Sequence, residues 1–72
     1  MTTYRVDVQI EDSRDGRYTM QYYVPACGPE LAKEEAVELV GAEFAEYLIR
    51  HPRDNRALPR ILSVESSLIV SR

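Results

Sequence analysis

Two stretches near the start of the chain alternate apolar and polar residues almost without lapse, and they constrain the fold more than any other feature. In "YRVDVQI", Tyr4, Val6, Val8 and Ile10 share one parity, while Arg5, Asp7 and Gln9 share the other. In "RYTMQYYV", Tyr18, Met20, Tyr22 and Val24 fall together, with Thr19, Gln21 and Tyr23 opposite. Successive side chains of a strand point to opposite faces, so each stretch reads as a strand with one dry face and one wet face. Between them lies "EDSRDG", whose Asp15-Gly16 pair is a turn signal. The expectation is an antiparallel hairpin.

"PACGP", residues 25–29, should break the second strand. Gly28 can serve as a helix N-cap, and Pro29 suits a first helical turn, where its missing N–H costs nothing. From Pro29 to about Arg50 the pattern is helical. Ala36, Val37, Val40, Phe44, Tyr47 and Leu48 fall on one stripe at 3.6 residues per turn. Pro52 should end the helix near Arg50. "HPRDNRALPR" is polar and bounded by prolines, hence a loop. "RILSVESSLIV" closes the chain as a third strand, with Leu62, Val64, Leu68 and Val70 expected on one face.

The order β-β-α-β predicts an α+β fold of two layers, one long helix lying on a three-stranded sheet. The helix returns the chain along the hairpin, so the third strand should run antiparallel to the first. Beside it, the sheet has the order 2-1-3 and is antiparallel throughout, with one face open to water. Val8, Met20, Val40, Phe44 and Val64 are the expected core.

Seventy-two residues make a single domain, residues 1–72. So short a chain buries a small fraction of its surface and gains from a disulfide, a metal or a second subunit. One cysteine excludes an internal disulfide, and one cysteine with one histidine cannot make a Cys/His zinc site. No cofactor and no metal are expected. No apolar run approaches the roughly 20 residues of a membrane span, and the alternating N-terminus is unlike an export signal. The expected compartment is the cytoplasm, with no membrane partner.

Four features could carry function. Cys27 precedes the helix N-terminus, where the macrodipole favours a thiolate. A nucleophile also needs a base, and His51 lies beyond the opposite helix end. Glu30 and Glu34 further oppose a thiolate. Cys27 is therefore read as a half-buried turn residue, and His51 as a C-terminal partner of the helix dipole. "EDSRDG" lacks the alternating ligands and distant glutamate of a calcium loop. The acidic helix is more informative. Six glutamates lie between Glu30 and Glu46, against the single Lys33. Glu34, Glu35, Glu38 and Glu46 lie off the core stripe, and so do Leu31, Leu39, Ala42 and Ile49. An apolar ridge between acids suits a partner more than bulk water. The fourth feature is a basic loop, with Arg50, Arg53, Arg56 and Arg60 as candidate phosphate ligands.

There is no paired acid and base, no glycine-rich phosphate loop and no metal cluster, so an enzyme is not expected. The net charge of −3 opposes nucleic-acid binding. The reading is a non-enzymatic protein–protein interaction module. Glu34, Glu35, Glu38, Leu39, Ala42, Glu46 and Ile49 form its docking face for a larger, basic protein, with an exposed sheet edge as the alternative surface. In size and charge the chain resembles small phage or mobile-element inhibitors such as anti-CRISPR proteins; scale and charge alone carry that likeness. Two alternatives remain, a weak nucleic-acid-binding module using Arg53, Arg56 and Arg60 with Tyr23 on the sheet face, and a homodimeric structural subunit.

Overall fold

The structure is a computed structural model and describes residues 2–54 and 58–69. Strand β1 spans Thr2–Asp12, β2 Gly16–Ala26, helix α1 Pro29–Arg50 and β3 Arg60–Leu68. The strands form one antiparallel sheet in the order β2-β1-β3, as the alternation and the crossover argument require. Pairing of β1 with β2 runs unbroken from Thr2 opposite Ala26 to Asp12 opposite Gly16. Gly16 closes the turn with φ 77°, a left-handed conformation that glycine enters without a Cβ clash. The buried Asp12 fixes the same turn by accepting the Arg14 amide proton at 3.0 Å, a local side-chain turn of the kind aspartate favours.

Proline 25 does not break β2, contrary to the expectation from "PACGP". The strand runs through it to Ala26. The position is tolerated because β2 lies at a sheet edge, where a missing N–H need not cost a ladder bond.

Val6, Val8, Ile10, Val24, Ala26, Ala32, Ala36 and Val40 make the buried core. Of the five expected core residues, Val8 and Val40 are fully buried; Met20, Phe44 and Val64 pack against the core half-buried. The helix stripe needs one correction. Ala32 belongs to it and Val37 does not, the latter being 37% exposed. The buried helical positions step by four, through Ala32, Ala36 and Val40. A residue one place past Ala36 is turned about 100° from that row.

Strand β3 departs further from its expected face. Val64 pairs with Val8 and Ser63 with Gln9, but Ile10 pairs with Ile61. Leu62 is the extra residue of a β-bulge, which breaks the parity of the strand. Ile61 therefore joins the core in place of Leu62. Leu68 sits opposite Tyr4 but is 59% exposed, and Val70 lies outside the described residues.

Candidate partner-binding face

Ala32, Ala36 and Val40 press one side of α1 onto the sheet, so the opposite side is held rigidly outward. Glu34, Glu35, Glu38, Leu39, Ala42, Glu46 and Ile49 are all exposed, with Glu34, Glu38, Ala42 and Ile49 on that side and Leu39 and Glu46 on the flank of the buried row. Leu31 belongs with them. It is 54% exposed and, with Pro25, Cys27 and the side chains of Glu34, Glu35 and Glu38, lines an open hollow of about 380 Å³ beside the helix start. Helical spacing alone already set Leu31 off the core; its link to the end of β2 needed the fold. Ile49 is 79% exposed at the far end of the ridge.

The charges on this face are only partly answered. Lys33 pairs with Glu30 at 3.3 Å and Arg50 with Glu46 at 2.7 Å. Among the described residues, Glu34, Glu35 and Glu38 have no ion-pair partner. The positive helix N-terminus accounts for Glu30 in the first turn, but the dipole falls off within a turn and does not extend to Glu38.

Cys27 is exposed rather than half-buried. Because β2 continues to Ala26, whose side chain faces the core, Cys27 is turned outward. His51 caps the other helix end. Its amide donates to the Tyr47 carbonyl at 2.9 Å, and its ring lies 4.3 Å from the Tyr47 ring. A helix of 22 residues, roughly 33 Å long, separates thiol from imidazole. They form no catalytic pair within one chain.

The basic loop is described only in part. Arg53 is exposed in the turn after the helix, and Arg56 lies outside the described residues. Arg60 begins β3 opposite Glu11, whose carboxylate already holds Arg17 at 3.0 Å. A contact invisible in the sequence organises this end instead. Asp54 accepts from the Tyr47 hydroxyl at 2.8 Å and from Arg14 of the hairpin turn at 3.3 Å. These bonds tie the helix end to the hairpin across 40 residues of sequence. The open sheet face carries Tyr23, 64% exposed, but also Asp7, Glu11 and Glu65. Asp7 accepts from Gln21 at 3.1 Å and pairs with Arg5 at 3.7 Å. Arg5, Arg17 and Arg60 share this face, so its charges balance and it offers phosphate no net attraction.

Among the described residues no group of His, Cys, Asp and Glu could hold a metal ion, and no helix is long and apolar enough to cross a membrane. Comparison with protein-family models, with curated proteins and with solved structures finds no match.

Proposed function

We propose that this chain is a non-enzymatic docking protein that binds a larger, basic protein through the outward face of α1. One observation carries the reading. The helix covers the sheet with Ala32, Ala36, Val40 and Phe44, and still leaves Leu31, Leu39 and Ile49 exposed to water beside Glu34, Glu35 and Glu38. Apolar side chains on a rigid face supply the part of an interface that slows release, and flanking like charges steer the encounter with a surface of opposite sign. A row of glutamates at helical spacing can occupy cationic sites that otherwise hold phosphates. A small inhibitor of a nucleic-acid-binding protein, of the phage or mobile-element kind, would work in this way; that narrower reading rests on scale and charge.

The partner is identified by capture from the native host, and the complex is then measured by surface plasmon resonance at several salt concentrations. Glu35→Lys with Glu38→Lys should lower the association rate at low salt about tenfold or more, with the loss shrinking as salt rises. Ile49→Ser or Leu39→Ser should mainly speed dissociation. All four side chains are exposed, so circular dichroism should show an unchanged fold. An association rate that ignores the double charge reversal at low salt would remove the docking face from the acidic helix.

A further inference from the structure

The sheet has two edges, and they are built differently. The β3 edge carries Arg60, Glu65 and the serines 63, 66 and 67, the charged and small polar residues that discourage pairing with another strand. The β2 edge carries no charge from Tyr18 to Ala26. It is 11 residues long, about twice the usual strand. Tyr18, Met20 and Tyr22 lie half-buried along it on the helix side, while Thr19, Gln21 and Tyr23 are exposed on the other. Pro25 blunts only its last positions. Between this edge and α1, the side chains of Tyr18, Met20, Phe44 and Tyr47, with Glu43 at the rim, line a hollow of about 230 Å³.

The composition of the edge points to the occupant. Apart from Arg17 the edge is uncharged, so a second β2 can lie along it antiparallel without opposing like charges.

We propose that two copies of this chain join through β2, antiparallel and in full overlap, into a six-stranded sheet. Full overlap of Gly16–Ala26 with itself places the two-fold axis at Gln21. Tyr18 then faces the partner's Val24, Met20 faces the partner's Tyr22, and Thr19 faces the partner's Tyr23. These are aromatic pairs with aliphatic, thioether or β-branched neighbours, a favourable kind of cross-strand contact. Arg17, the one charge on β2, meets the partner's Pro25, so no like charges are opposed. Paired residues share parity, which keeps both helices on the same face. The two β1 strands stand about 14 Å apart, three strand spacings, and the half-buried tyrosines of both copies fill the gap under the helices. The acidic helix faces remain outward, so the dimer is independent of the docking proposal and presents that face twice.

Sedimentation equilibrium of the full chain from micromolar to millimolar concentration should give twice 8.3 kDa at the upper end. Gln21 is exposed, and a lysine in its place can pair with Asp7, so Gln21→Lys should keep the fold by circular dichroism. It sets two cations against each other at the axis and should weaken the dimer about fivefold or more. Opposed Cα atoms of antiparallel strands lie about 4.5–5.5 Å apart, within the span of a disulfide. Gln21→Cys in a Cys27→Ser background should therefore crosslink to a covalent dimer when oxidised glutathione accepts the two electrons, and Ile49→Cys in that background should not. A wild-type chain monomeric over the whole range overturns the proposal. So does a dimer that tolerates Gln21→Lys but falls apart with Leu39→Ser, which would place the contact on the helix ridge.

Discussion

Replacing Ala36 by leucine tests how the two layers meet. By pattern alone the change looks stabilising, since it puts a strong helix former with a large apolar side chain on the buried stripe. The structure says otherwise. Ala36 is 0% exposed within the cluster of Val6, Val8 and Val24, so an isobutyl group must displace either α1 or the valines beneath it. Overpacking of this kind costs about 1–3 kcal/mol, and the helix-propensity difference between alanine and leucine, a few tenths of a kcal/mol, cannot offset it. A core of this size supplies only about 3–5 kcal/mol in total, so the loss is a large fraction of the stability. At about 4–8 °C per kcal/mol the melting temperature should fall by roughly 5–20 °C. Ala42→Leu on the outward face is the control and should stay within about 0.5 kcal/mol of wild type. Thermal unfolding by circular dichroism at one fixed protein concentration measures both, because any dimer makes the transition concentration-dependent. An Ala36→Leu variant that melts at or above the wild-type temperature would refute the close approach of α1 to the sheet.

Two glycines should respond in opposite directions to the same change. Gly16→Ala should cost about 1 kcal/mol because φ is 77° there, while Gly41→Ala, in the helix with nothing within 4 Å of the added methyl, should add about 0.5–1 kcal/mol; chemical denaturation compares them directly. Tyr22 should shape the alkaline limb of stability. Burial, then the hydrogen bond to Glu43 at 3.1 Å and the charge of that carboxylate, push its phenol above the ordinary range. The folded state holds the proton more tightly than the unfolded one, so this contribution is complete below about pH 10 and is lost as pH rises beyond it. Tyr22→Phe should therefore lose less stability than wild type on titration through that region, and equal slopes would count against the linkage.

The hairpin, the helix limits and the strand order were legible because each depends on local chemistry: parity in β1 and β2, Asp15-Gly16 at the turn, Gly28-Pro29 and Pro52 around the helix. The features that escaped depend on partners distant in sequence. The Leu62 bulge exists only in register with Gln9 and Ile10, and Asp54 acquires its meaning from Tyr47 and Arg14. Pro25 could be judged only once β2 was known to be an edge. The helix stripe holds for Ala36, Val40, Phe44, Tyr47 and Leu48, and its departures at Ala32 and Val37 have another reason. Its buried side begins with Ala32 and Ala36, which contribute little to any apolar pattern, before Val40 and Phe44 take over, while Leu31, Val37, Leu39 and Ile49 lie elsewhere. A helix serving only to cover this sheet would gain from the reverse arrangement, since burying a leucine or isoleucine side chain is worth about 1.5–3 kcal/mol and an alanine far less. Small residues inward let α1 lie close to the sheet and leave Tyr22 and Phe44 to fill the β2 margin. Large residues outward bring a lone chain no stability, because water covers them. Both consequences become useful when something else covers those surfaces: a second β2 at the tyrosine-lined edge, and a basic partner against Leu31, Leu39 and Ile49.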